Sequence, residues 1–239
     1  MHLRKIFILF ALLIPFTALR PERGYEGISN DFQQFEMERI LSKCETETNM
    51  PARAVFESAI SGYALLLSKQ LIKKTGLITI IDFTLTSDKK RMWVIDLNEV
   101  KVLVHCLVAH GRNSGKLSAE SFSNKPGSFA SSPGFYATGD TYTGKHGMSL
   151  FLDGLEEGVN DKARDRSIVI HGADYVSDEF IKRYGQLGRS HGCPAIPETI
   201  KLEVIQTIKG GSCLYIHAPD KFYSSAGLVE KVINRNSKS

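Results

Sequence analysis

A chain of 239 residues that is 42% hydrophobic and 23% charged holds enough apolar material to bury a core, which excludes a largely disordered polypeptide. The formal net charge is +4, and Arg4, Lys5 and Arg20 supply three of those four charges, so the body of the protein is close to neutral. With no dense cluster of Lys and Arg interleaved with aromatics, the chain lacks the electrostatic footprint of a nucleic-acid binder. In chain order, Arg4 and Lys5 precede the apolar run Ile6–Leu19. As a helix rising ~1.5 Å per residue this run reaches roughly 21 Å, short of the roughly 30 Å hydrocarbon core of a bilayer. The pattern predicts a secretory signal peptide over residues 1–20, with export to the periplasm or cell envelope. The alternatives are a buried N-terminal helix and an uncleaved anchor, and the anchor is the one membrane attachment expected.

Residues 21–31 (PERGYEGISND) read as a polar linker, and residues 32–76 as an N-terminal helical segment. Helices are predicted over 32–45 and 51–74. In the second, Phe56, Ile60, Tyr63, Leu67 and Leu71 recur at three- and four-residue steps and form one apolar face, and Pro51 suits the first turn. From Leu77 the period shortens. LITIIDFTL, RMWVIDL, KVLVHCLVA, GFYATGD, MSLFL, RSIVIHG and SCLYIHAP are short runs rich in β-branched and aromatic residues, separated by Gly, Ser, Asn and Asp. Strands in this number with little helix between them predict a mainly β domain over 77–218, a β-sandwich or partly open barrel with flanking helices. Helical interruptions are expected at 177–184 and 197–209, and a tail with a short helix over 219–239. The polar stretch 111–133 (GRNSGKLSAESFSNKPGSFASSP) is long for a connection inside a compact domain and reads as a lid or flap over a groove.

Four cysteines occur, and their settings argue against a disulfide framework. Cys106 and Cys213 lie in apolar strand-like runs, where a thiol behaves as a small hydrophobe. Cys44 follows a helical segment. Cys193 differs, because it sits in RSHGCPAIP between a His-Gly pair and a proline. Gly192 allows close backbone approach, Pro194 biases Cys193 away from helix, and the N–H groups of Gly192 and Cys193 are placed to meet a developing oxyanion. A nucleophilic thiol also needs a base. His171 ends the strand RSIVIHG ahead of Gly172, His191 lies two residues before the cysteine, and His146 lies in the glycine-bracketed loop TGKHG. His105 and His217 fall inside apolar runs and read as sheet histidines.

The pair His171-Gly172 at a strand end, followed by Ser190-His191-Gly192-Cys193, resembles the signature of the L,D-transpeptidases of bacterial cell walls, the YkuD-like family. SSPGFYATG (131–139) resembles that family's Pro-x-Gly-x-aromatic strand. The run from YTGKHG through GQLGRSHGCPA resembles a divergent branch in which Pro-Ala follows the cysteine. The resemblance covers about residues 77–218. It implies a peptidoglycan stem peptide as substrate, a donor tetrapeptide and an acceptor amine as partners, and no metal and no cofactor. It also implies Cys193 as nucleophile, His171 as general base and acid, the Gly172 carbonyl as its orienting group, and Gly192 at the oxyanion. Ser190 and His191 match supporting motif positions, and Arg189, Tyr142 and His146 are candidate substrate-binding residues. A lowered thiol pKa through a thiolate–imidazolium pair is the corresponding electrostatic expectation.

The chain departs from the family pattern in its longer spacer between His171 and Ser190. It departs again in Pro194-Ala195, which stand where relatives carry an Arg close after the cysteine; Arg189 is the expected substitute. Three alternatives stand beside acyl transfer between peptides. The same site would serve a carboxypeptidase or endopeptidase. A wall-associated module would bind peptide without reacting. A zinc peptidase would use His146, His171 and His191 with Asp140 or Asp174, although no HExxH spacing supports it.

Overall fold

A computed structural model describes residues 38–40, 42–43, 49–145 and 147–224. The predicted signal peptide, the linker, most of the first predicted helix, Cys44, His146 and the tail beyond residue 224 lie outside the described residues.

Helix α1 spans Arg53–Ser68 and ends six residues before the expected limit. The cause is a change of hydrogen-bond partner. Gln70 takes a left-handed φ of 56°, and the N–H groups of Lys73 and Lys74 turn to the carbonyl of Gly211. The chain then enters β1 (Lys74–Asp82), followed by β2 (Met92–Asp96), β3 (Lys101–Cys106), β4 (Gly134–Gly144), β5 (Gly147–Gly154) and β6 (Val169–Ala173). The helix expected at 177–184 is α2, Asp178–Tyr184, capped where Ser177 Oγ accepts the Phe180 N–H at 3.2 Å and ended by Gly185 at φ 72°. The helix expected from Pro197 starts later. Residues Ala195–Pro197 form β7, a 3-10 turn covers Glu198–Ile200, and α3 runs Lys201–Ile208 before β8 (Ser212–His217).

All eight strands belong to one sheet, in the order β3-β2-β1-β8-β4-β5-β6-β7, with β1/β8 and β6/β7 parallel and the other neighbours antiparallel. The chain leaving β3 then reaches the far edge. Ala109 N–H donates to Ala195 O at 2.8 Å and Ala195 N–H returns to Ala109 O at 3.3 Å, with a second bridge between Gly111 and Ser190. These bridges curl the sheet into a nearly closed barrel, the second of the two expected β architectures, and they largely remove the open edges that a flat sheet would leave.

Strand alternation sorts the core in two. Ile78 and Ile80 of β1 face outward onto Phe56, Ile60 and Leu66 of α1, together with Phe135 and Tyr215. Leu77 and Ile81 face inward with Val94, Leu152, Leu214 and the buried side of α3. Helix α1 therefore covers one barrel wall and shares its core. Contact there is close: a Cβ on Gly62 would sit 2.0 Å from Cζ of the fully buried Phe135 ring. A Gly62→Ala substitution should destabilise the protein by roughly 1–3 kcal/mol through overpacking. The expected result is a lower denaturant midpoint at unchanged slope, and an unchanged midpoint would show that α1 does not dock on β4 in this way.

Candidate active site

The turn that carries Cys193 is built by one hydroxyl and one glycine. Ser190 Oγ accepts the Gly192 N–H at 3.0 Å and donates to the Cys193 carbonyl at 2.6 Å, closing the loop across four residues. Gly192 has φ 120°, a conformation that side chains avoid, and a Cβ there would meet Ala130 O at 2.9 Å. From outside, Ser131 Oγ donates to Gly192 O at 3.2 Å and accepts the Gly111 N–H at 3.0 Å. Behind the loop, Ser190 N–H donates to His110 O at 3.0 Å and Arg112 N–H to Ser190 O at 2.8 Å. His110 is held in turn by the fully buried Arg91, whose Nη2 lies 2.8 Å from His110 Nδ1 and whose Nε and Nη2 also donate to Val108 O. Burial, with the Arg91 charge added, pushes His110 down to about 4, so this imidazole is neutral and rigid.

His171 reaches the same place from β6. In the parallel β6/β7 ladder it pairs with Ala195, two residues beyond Cys193. Its Nδ1 lies 2.9 Å from the Gly172 carbonyl, which can only accept, so Nδ1 carries the proton and Nε2 is left as the basic nitrogen. The sequence-predicted pair His171 and Gly172 thus forms an oriented imidazole. Across the sheet, His171 pairs with Ser149 of β5, which pairs with Tyr142 of β4. At the usual strand spacing Tyr142 stands two strands away, roughly 10 Å, in the same register row. It is 38% exposed and stacks on Phe151 at 4.6 Å between ring centres.

Cys193 is partly exposed, and its Sγ contacts the Ser167 carbonyl at 3.6 Å. A carbonyl is a partner for a thiol and a poor neighbour for a thiolate. In accord with that contact, burial pushes the thiol pKa up, opposed by the Val169 N–H, the Arg166 charge and the residue's own N–H. Against the expected lowered pKa, desolvation outweighs the stabilising groups and favours the protonated thiol. The expected oxyanion role of Gly192 meets a competitor, since its N–H is bonded to Ser190 Oγ; the Cys193 N–H is the one acting on the sulfur.

Two residues that the sequence did not single out belong to this site. Arg166, on the loop before β6, donates to Ser123 O (2.7 Å) and Ser132 Oγ (2.5 Å) through Nη1, and to Ala130 O (2.6 Å) and Ser128 Oγ (3.2 Å) through Nη2. The stretch expected to act as a flap is thereby pinned to the loop before β6, and Ser131 ties it to the Cys193 turn. Tyr175, whose side chain packs on Gly188, lies within electrostatic reach of Cys193, and burial pushes its phenol up to about 12. An arginine opening the predicted strand RSIVIHG was the one available signal for the first; the second had none.

The remaining candidates are dispersed. Arg189 is exposed and donates to Gly115 O at 3.1 Å, so it is bound to the 111–133 segment. His191 is exposed and packs on Phe129 at 4.6 Å, with Arg112 over the other ring at 4.1 Å. His146 lies outside the described residues. His105 stacks on Trp93 and His217 meets Tyr215 Oη at 3.0 Å, both within the sheet. Cys106 and Cys213 are free and buried, and burial pushes the Cys106 thiol up to about 12.

Solved structures similar to this chain include an L,D-transpeptidase from Mycobacterium smegmatis (13% identity, TM-score 0.36, covering 60% of this chain and 59% of that one). Others are the helical cell shape determining protein Pgp2 from Campylobacter jejuni (13%, 0.41, 79% and 64%) and an L,D-transpeptidase from Enterococcus faecium (13%, 0.35, 59% and 50%). The chain spans less than two thirds of the length of each. No curated protein is significantly similar to it. The family model described as the L,D-transpeptidase catalytic domain matches residues 47–217, which takes in α1, all eight strands and the turn bearing Cys193. By that match, extending over most of its length, the chain belongs to the L,D-transpeptidase catalytic domain family.

Proposed function

We propose that this protein is exported to the cell envelope and carries out cysteine-dependent acyl transfer on peptidoglycan stem peptides. What supports the reading is an imidazole oriented by the Gly172 carbonyl on β6 and a partly exposed thiol two residues before Ala195, the partner of His171 in the parallel ladder. In the first step Cys193 Sγ attacks the carbonyl carbon of the third residue of a donor tetrapeptide, and its proton passes to His171 Nε2. The C–N bond to the terminal D-alanine breaks, a thioester forms, and His171 returns the proton to the leaving amine. In the second step the amine of an acceptor stem peptide attacks the thioester, a new C–N bond forms, and sulfur leaves. Water in place of that amine gives the carboxypeptidase outcome with the same residues.

Because burial favours the thiol, its deprotonation by His171 accompanies the attack. The Val169 and Cys193 N–H groups and the Arg166 guanidinium are the groups that favour the anion. The Cys193 N–H also serves the tetrahedral oxyanion, where one such donor is worth about 3 kcal/mol in other acyl-transfer sites. Release of Gly192 N–H from Ser190 Oγ would supply a second donor, the role expected of Gly192. Arg166, whose charge favours the Cys193 anion, takes the place of the arginine expected after the cysteine, since Arg189 is engaged with the Gly115 carbonyl.

Incubation with a tetrapeptide should add the mass of the tripeptide acyl group to the intact protein, and Cys193→Ala should abolish the adduct. A Cys193→Ala variant that still trims or cross-links tetrapeptides would overturn thiol catalysis. Alkylation of Cys193 by iodoacetamide, located by peptide mass, should rise with pH through a midpoint above that of an ordinary thiol, because only the anion reacts and burial disfavours it. Arg166→Gln should move that midpoint higher and slow alkylation at neutral pH about tenfold, with Arg166→Lys in between. An unmoved midpoint would reduce Arg166 to a fastener of the 123–132 segment.

A further inference from the structure

The seam that nearly closes the barrel stays open at one end. Ala109 pairs with Ala195 across it, and the same antiparallel ladder, continued, would set Leu107 against Pro197 and His105 against Thr199. The ladder stops instead, because Pro197 has no N–H to donate and Glu198–Ile200 coil into the 3-10 turn. β3 is the terminal strand of the sheet and pairs with β2 alone, so its other edge faces the gap. The register of β2 on β3 shifts at Leu103, which is 43% exposed, and this bulge interrupts the start of the edge. Residues 104–107 are left as the stretch free to pair.

The gap is a cleft of about 430 Å³, lined by neither Cys193 nor His171. Its apolar lining comes from Leu107, Ala173 and Val176, which are buried, and from the half-buried Pro197 and Ile200. Its charges are mostly of one sign. Asp174, Asp178, Glu179 and Glu198 are exposed around it, and Lys90 is set against them. Glu198 is ion-paired with Lys201, whereas Asp174, Asp178 and Glu179 form no ion pair among the described residues. His105, stacked on Trp93 at the β3 wall, is pushed below the ordinary imidazole range by burial and adds no positive charge at neutral pH.

We infer that the open seam is a docking site for an extended, basic peptide segment of a partner protein, which adds a strand beside residues 104–107 and completes the ladder that Pro197 breaks. Strand addition draws affinity from main-chain hydrogen bonds and selectivity from alternate side chains. Successive side chains of an extended segment point to opposite faces. One set meets the apolar lining, and the other, Lys or Arg, meets Asp174, Asp178 and Glu179. Charge decides the occupant. An acidic segment would face three unpaired carboxylates, and a second copy of this chain would bring the same acidic rim and the same bulge against its own.

The test uses the full chain and a fluorescein-labelled octapeptide of alternating lysine and valine, followed by anisotropy and by amide hydrogen exchange. The peptide should bind, more weakly as salt rises, and should slow exchange of the amides in 104–107. The same peptide N-methylated at alternate residues keeps its charge and loses its pairing edge, so it should bind about tenfold more weakly or worse. A glutamate–valine octapeptide should not bind. Asp178→Asn combined with Glu179→Gln, two exposed positions where the fold is not at stake, should weaken the lysine peptide about fivefold. No binding, equal affinity for the methylated peptide, an unchanged affinity in the double variant, or binding without protection at 104–107 would overturn the inference. Protection of those amides in the protein alone that grows with its concentration would overturn it as well, by making the occupant a second copy.

Discussion

Ala195 is the residue on which the geometry turns. It is paired on one side with His171 in the parallel ladder and on the other with Ala109 in the bridge that nearly closes the barrel. A parallel neighbour fixes register without a shared turn, so the strand that carries His171 is set beside the segment that carries Cys193, more than twenty residues along the chain, by backbone hydrogen bonds. The pairing is only three residues long, and its stability is borrowed. Ile196 points into the barrel core, Ala195 packs with Leu107 and Leu187 on the outer side, and the Ser190 turn immediately upstream is tied to His110 and Ser131.

The site is accordingly layered from rigid to reactive. Arg91 and the neutral His110 form an internal brace with no access to substrate. Ser190, Gly192 and Ser131 shape the turn in front of it, and Cys193 projects from that turn. Arg166 ties the loop before β6 to the 123–132 segment through four hydrogen bonds, and its charge favours the Cys193 anion.

Much of this was legible in the amino-acid order. The seven runs of alternating or β-branched residues fall on β1–β6 and β8, because each strand has one face on a core and the period of two survives in the sequence. β7 was invisible: three residues bounded by prolines at 194 and 197 carry no period, and their strand state comes from neighbours on both sides. The end of α1 was misplaced for a related reason, since Leu71 continues the helical spacing while Gly211, far along the chain, captures the backbone N–H groups. Cys193, His171 and Gly172 could be read from local motifs. Arg166 offered only its place at the head of a predicted strand and Tyr175 nothing, because their surroundings arise from groups brought together across the fold. The Ser190–Gly192 contact did carry a signal, a hydroxyl two residues before a backbone N–H, which is a common side-chain turn.

The setting of the Cys193 sulfur has a consequence for its oxidation. Peroxides and foreign disulfides attack or are attacked by thiolates, and both routes slow when the proton stays in place. Cys106 and Cys213 are shielded by burial alone, but Cys193 must remain reachable and cannot use that defence. Because desolvation favours the protonated thiol at Cys193, the barrel wall packed against this sulfur also acts as its antioxidant.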